Sequence, residues 1–110
     1  MPELTLDIHS VRAAAAQATA LLKAMANVDR LLLLCQLSQS EHSVGELESL
    51  LGVTQPTLSQ QLGVLRDEGL VATRREGKQI YYRIASPVAL AIIQILYTHF
   101  CQKSGVQNDA

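Results

Sequence analysis

Apolar positions along this chain follow first a helical period and then a period of two. The run "VRAAAAQATALLKAMA" after Ser10 predicts a helix capped by that serine, with alanines that favour helix and allow close approach of a neighbour. Asn27 is placed to cap a second helix, "VDRLLLLCQLSQ", with Val28, Leu31, Leu32 and Cys35 on one face. Ser43 followed by Glu46 three residues later forms a capping-box pattern for a short third helix ending at Gly52. Thr54 caps a fourth, with Pro56 in the first turn, Leu58, Leu62 and Leu65 along one face, and Gly69 at its end. Beyond Gly69 the β-prone segments "LVATRR" and "QIYYRI", separated by "EGK", predict a hairpin. Pro87 opens a last helix, "VALAIIQILYTHFC", that is apolar nearly all round and must be covered; in a chain this size a second copy is the obvious cover.

The expected architecture is an α-rich winged helix-turn-helix, in the order α1-α2-α3-α4-β-hairpin-α5. Residues 1–9 form an N-terminal arm, 10–102 the folded domain, and 103–110 a C-terminal tail.

Between the leucines of the fourth helix sit Gln55, Thr57, Ser59, Gln60 and Gln61, amides and hydroxyls rather than lysines and glutamates. Such groups suit the base edges of the major groove, whereas lysines there would hold phosphate with little regard to sequence. An ordinary solvated face has the same appearance, but the hairpin following directly favours DNA reading. In that hairpin Arg74, Arg75 and Lys78 flank Gly77, fitted to phosphate or minor-groove contacts, or simply to a soluble turn.

Charge modifies this reading only slightly. The formal net charge is −1, which argues weakly against nucleic acid. From Thr54 to Ile84, however, Arg66, Arg74, Arg75, Lys78 and Arg83 outnumber Asp67, Glu68 and Glu76. The chain has 110 residues, enough for one domain. It has no apolar run near the roughly 18 residues of a membrane span, and its acidic start does not resemble a signal peptide. A soluble cytoplasmic protein is expected. The two cysteines, Cys35 and Cys101, form no CxxC motif, so they are either buried filler or a redox device. The missing CxxC and the lack of an apparent general base near either thiol argue against a thiol oxidoreductase. A winged helix that binds only protein is a further alternative.

The segments "LLKAMANVDRLLLL" and "SVGELESLLGVTQPTLSQQLGVLRDEGLVATRREGKQIYYRI" resemble the ArsR/SmtB family of bacterial winged-helix repressors over about residues 18–101. The resemblance implies a homodimer, joined mainly through the first and last helices, that represses operons by binding operator DNA until an inducer releases it. "MANVDR" departs from the Ser-His-Pro-x-Arg turn more usual there, though Asn27 can still cap and Arg30 is retained.

The family's metal sites do not carry over. Where the arsenic-type site has Cys-Val-Cys, this chain has Ser43, Val44 and Gly45; between Val88 and Lys103 it offers His99 and no carboxylate. Zinc generally takes four ligands, so neither known site can be built; no metal and no cofactor is expected. The cysteines resemble those of the branch represented by the repressors BigR and SqrR, which answer persulfides and related reactive sulfur species. By that resemblance Cys35 and Cys101 of one protomer become joined through a sulfur bridge, releasing DNA. The alternative is a repressor that senses another oxidant, haem, or a metal at an unrecognised site.

Overall fold

The structure, a computed structural model, describes residues 7–102. Among these, α1 (Ile8–Met25), α2 (Val28–Leu37), α3 (Val44–Leu51), α4 (Gln55–Asp67) and α5 (Pro87–Leu96) surround a sheet of β1 (His42–Ser43), β2 (Val71–Glu76) and β3 (Gln79–Ile84). A π-helical turn, Tyr97–Gln102, continues from α5. This is the expected winged helix-turn-helix, with one strand more than the sequence pattern predicts.

The caps explain most of the boundaries. Asn27 accepts from the Arg30 amide at the start of α2. At α3, Ser43 Oγ accepts from the Glu46 amide while the Glu46 carboxylate accepts from the Ser43 amide, which completes the capping box. Gly52, at φ +69°, ends α3 in the left-handed conformation that a side chain resists. Ser86 Oγ accepts from the Ala89 amide, and Pro87 occupies the first turn of α5.

Two expected caps differ. α1 begins at Ile8, ahead of Ser10, so Ile8 and His9 are helical; Ser10 Oγ donates to the Asp7 carboxylate instead of capping. Thr54 stands at the N-terminus of α4, but its hydroxyl donates to Thr57 Oγ1 rather than accepting from the helix. The expected tail, 103–110, and arm residues 1–6 lie outside the described residues.

The core is built mainly of leucine. Leu33, Leu34 and Leu37 of α2, Leu47 of α3, and Leu58, Leu62 and Leu65 of α4 meet Leu70, Val71 and Ile93. Each fully buried leucine contributes about 1.5–3 kcal/mol relative to an exposed one. The face of α2 that enters the core is that of Leu33, Leu34 and Leu37, not the one shared by Val28, Leu31, Leu32 and Cys35. Val28 and Leu32 are exposed, and Leu31 and Cys35 are only partly covered. At 3.6 residues per turn, four successive leucines make both sides of this helix apolar. The side bearing Cys35 is left to face the end of α5.

The sheet order is β1-β3-β2, all antiparallel. His42 pairs with Tyr82, and Ser43 pairs with Tyr81. Glu76 pairs with Gln79, so Gly77 and Lys78 form a two-residue wing tip with Gly77 at φ +63°. Val71, Tyr82 and Ile84 turn to the core, while Arg74, Glu76, Tyr81 and Arg83 occupy the other face.

Apart from Ala24 and Met25, no residue of α1 is buried. Its Ile8, Val11 and Leu22, with Val88 and Ile95 of α5, remain exposed apolar surface. Leu21 and Leu22 of α1 share a groove with Val88 and Ile92 of α5, so the uncovered parts of the first and last helices adjoin. No helix among the described residues is long and apolar enough to cross a membrane.

Candidate functional site

The first candidate surface is α4 and the wing. Gln55, Ser59 and Gln60 are exposed, whereas Thr57 and Gln61 are half-buried. The buried leucines at i, i+4 and i+7 dictate this division: with 100° per residue, Gln60 points away from them and Gln55 and Ser59 share one flank. Thr57 and Gln61 lie on the other flank, and both have partners. Thr57 Oγ1 takes the Thr54 hydroxyl at 3.3 Å. Gln61 Oε1 accepts from Arg30 Nη1 at 2.8 Å, which leaves its NH2 group available.

Arg30 has a structural task that local sequence patterns do not reveal. It also donates to the backbone carbonyls of Ala24 and Lys23, in the last turn of α1. The Lys23 carbonyl also accepts from the Ala26 amide, so the guanidinium adds to that helix end, serves the Ala24 carbonyl, and fastens α4 beside it. The signal in the sequence is an arginine in the first turn of a helix, where a cation is not favoured by the helix dipole.

The wing basics do not form one group. Lys78 is at the tip and Arg75 stands opposite Ile80, both exposed. Arg74 is farther back, on the opposite face of the hairpin from Arg75. Its Nε lies 2.7 Å from Glu41 Oε1, Nη2 also meets that carboxylate, and Nη1 lies 2.8 Å from Glu76 Oε1. The guanidinium carbon stands 4.8 Å from the centre of the Tyr81 ring. Tyr81 is therefore half-covered by an arginine. Hydrogen bonding to Arg74, then the charges of Arg74 and Arg83, hold the Glu41 carboxyl below the usual carboxylate range. The pair therefore remains ionised into mild acid and is lost as pH falls through that lowered value.

The second candidate surface is the pair of thiols. Cys35 and Cys101 line one apolar cavity of about 330 Å³ between α2 and the end of α5, together with Leu31, Leu32, Leu96 and Phe100. Two residues 66 positions apart thus meet in one pocket. Both are free thiols; Cys35 is half-buried and Cys101 exposed. Burial, and secondarily the neighbouring Cys101, push the Cys35 thiol up from its ordinary value. Cys35 therefore stays protonated to higher pH than a free thiol, while Cys101 is the more accessible of the two.

The last helix, expected to run unbroken to Cys101, widens at Tyr97 into the π-helical turn. That turn carries Tyr97, Phe100 and Cys101 to the cavity. His99 is exposed, and Lys103 lies outside the described residues. Among the described residues, no group of three or more His, Cys, Asp or Glu side chains is assembled that could hold a metal ion.

Comparison with known proteins agrees with this geometry. Residues 27–73 match the family described as bacterial regulatory protein, arsR family. The biofilm growth-associated repressor of Agrobacterium fabrum is 51% identical over 96 residues, covering 87% of this chain and 82% of that protein. The transcriptional activator HlyU of Vibrio cholerae is 43% identical over 97 residues, covering 88% of this chain and 90% of HlyU. The solved structure of reduced HlyU superposes with a TM-score of 0.81 at 44% identity, over 86% of this chain and 99% of that one. The transcriptional repressor BigR of Xylella fastidiosa superposes with a TM-score of 0.78 at 47% identity, over 87% and 98%. The chain belongs to the arsR family of bacterial regulatory proteins and is a DNA-binding transcriptional regulator, not an enzyme.

Proposed function

We propose that this chain is a homodimeric repressor that holds operator DNA when reduced and releases it when Cys35 and Cys101 of one protomer are bridged by reactive sulfur. The observation that carries the proposal is the single apolar cavity lined by both thiols. Cys101, the more exposed, is the first nucleophile. Its thiolate attacks the central sulfur of an organic trisulfide and displaces one thiolate. The Cys35 thiolate then attacks that same sulfur, now bound to Cys101, and displaces the second. The protein dithiol loses two electrons, the trisulfide is reduced to two thiols, and the protons of Cys35 and Cys101 end on the departing thiolates.

A cavity without charged lining favours a chain of sulfur atoms over a hydrated peroxide. A bridge with inserted sulfur also relaxes the requirement of a plain disulfide, about 7 Å or less between Cα atoms.

On the DNA side, Gln55, Ser59 and Gln60 read base edges, with Thr57 and the free amide of Gln61 beside them. Arg75 and Lys78 meet phosphate. The second copy covers the apolar surface shared by α1 and α5. Two reading helices must then span half-sites about 34–36 Å apart, so a small change in their separation costs affinity. The relatives' names divide between repressor and activator. Release on bridging is the simpler outcome, because it requires only that the bridged form fit the half-sites less well.

The test is binding, at several salt concentrations, to a duplex that the reduced protein selects from a random-sequence pool. Treatment with an organic trisulfide is expected to weaken binding at least about 100-fold, with a mass gain of bridging sulfur between Cys35 and Cys101. Unchanged affinity after complete bridging would exclude the mechanism. Gln60→Ala should weaken the selected duplex by about 1–3 kcal/mol, roughly 5- to 150-fold, and leave non-specific binding nearly unaltered. Equal loss on both duplexes would remove Gln60 from the base readers.

A further inference from the structure

We propose that Arg74 is a positioning residue, not a phosphate ligand: with Glu41 it forms a strap across the outer face of the sheet that sets the wing against the helix-turn-helix. The inference rests on the DNA-binding reading above and reassigns one residue within it.

The register shows the strap. Ser43 of β1, Tyr81 of β3 and Arg74 of β2 stand side by side across the three strands. Glu41, two residues before Ser43, lies at one edge of the sheet and Arg74 at the other. The arginine crosses the middle strand over the Tyr81 ring, 4.8 Å from its centre, and reaches Glu41 through two nitrogens, with Nε at 2.7 Å and 3.1 Å from its two oxygens. Its remaining terminal nitrogen, Nη1, meets Glu76 at 2.8 Å.

Every nitrogen of the guanidinium is therefore committed, and one cation stands between two carboxylates. Arg83, on the same face, offsets the second carboxylate, so a phosphate arriving there would meet a neutral cluster and would have to displace both acids. Arg75 and Lys78, by contrast, enter no ion pair among the described residues. The segment that supplies Glu41 leads directly through β1 into α3, so the strap joins the wing to the first helix of the helix-turn-helix.

The pair is exposed, and exposed pairs contribute modestly. The expected loss for either variant is accordingly about threefold in affinity for the selected duplex, not orders of magnitude. Phosphate binding and positioning differ in sign and in salt response. If Arg74 positions the wing, Arg74→Gln and Glu41→Gln weaken binding alike, the double variant is no worse than either single one, and the slope of log affinity against log salt is unchanged. Amide exchange in β2 and β3 quickens in both. Arg75→Gln and Lys78→Gln should each make the slope shallower by about 0.9 for every phosphate that the removed cation neutralises.

If Arg74 is instead a phosphate ligand restrained by Glu41, Glu41→Gln tightens binding and Arg74→Gln makes the slope shallower. Arg74→Lys separates charge from geometry: it retains a cation for phosphate but cannot span two carboxylates as a fork, so positioning predicts that it behaves as Arg74→Gln. Tighter binding by Glu41→Gln, wild-type behaviour of Arg74→Lys, or no effect of either Glu41→Gln or Arg74→Gln would overturn the proposal. If the wild-type protein enriches no duplex, the DNA reading fails instead, and amide exchange in β2 and β3 still decides the strap.

Discussion

Cys35→Ser and Cys101→Ser are each expected to keep operator affinity within about twofold when reduced, and to lose the response to organic trisulfide entirely. The reason is stoichiometric. One thiol can be converted to a mixed polysulfide, but only two can close a ring between α2 and the turn after α5. Moving a population from about 1:99 to 99:1 requires roughly 5.5 kcal/mol of difference between two states, more than a small adduct on one exposed thiol supplies. Affinity measurements with mass spectrometry on the same samples distinguish adduct from bridge. Release of DNA by either single variant would mean that modification of one cysteine suffices, and the bridge would lose its place in the mechanism. Serine is close to cysteine in size, and neither side chain lies among the fully buried residues, so the fold should tolerate both changes.

Leu62→Ala has the largest effect expected on stability, a loss of about 2–5 kcal/mol. Leu62 is fully buried at the middle of α4, between Leu58 and Leu65 and against the leucines of α2 and α3. Truncation removes three carbon atoms from the core and leaves a void that a helix fastened by Arg30 through its neighbour Gln61 cannot easily close. Domains of this size are stable by only about 5–15 kcal/mol, so the loss is a large share of the total. Urea unfolding at fixed protein concentration should show a lower midpoint with unchanged slope. A midpoint shift equivalent to less than about 1 kcal/mol would show that α4 settles into the gap and that its core face is not tightly held.

Much of the fold is legible in local sequence because its determinants are local. The Ser43–Glu46 box, the Asn27 cap, Gly52 and the Gly77 turn each involve groups within a few residues of one another, and each produces the boundary its chemistry predicts. What local patterns miss depends on contacts made across the chain. The two residues of β1 become a strand only because β3 is there to pair with. The core side of α2 is not decided by periodicity, since Leu31 to Leu34 place an apolar group on every side; packing against α4 selects Leu33 and Leu34. Arg74 reads as a wing-tip cation until Glu41, 33 residues earlier, is seen beside it. The candidate thiol pair is visible as two residue types, but its shared cavity depends on the widening of the helix after Leu96, for which the sequence offers no evident cue.

Within α2, Cys35 and Arg30 are separated by five positions, about 7.5 Å of helical rise. One end of this short rod therefore carries the thiol proposed to close the bridge, and the other grips an amide of α4, the proposed reading helix. Any rigid pivot of α2 that draws its sulfur end toward α5 must swing the guanidinium as well. The lever arm between chemistry and grip is less than about one and a half turns long, too short to bend away the motion.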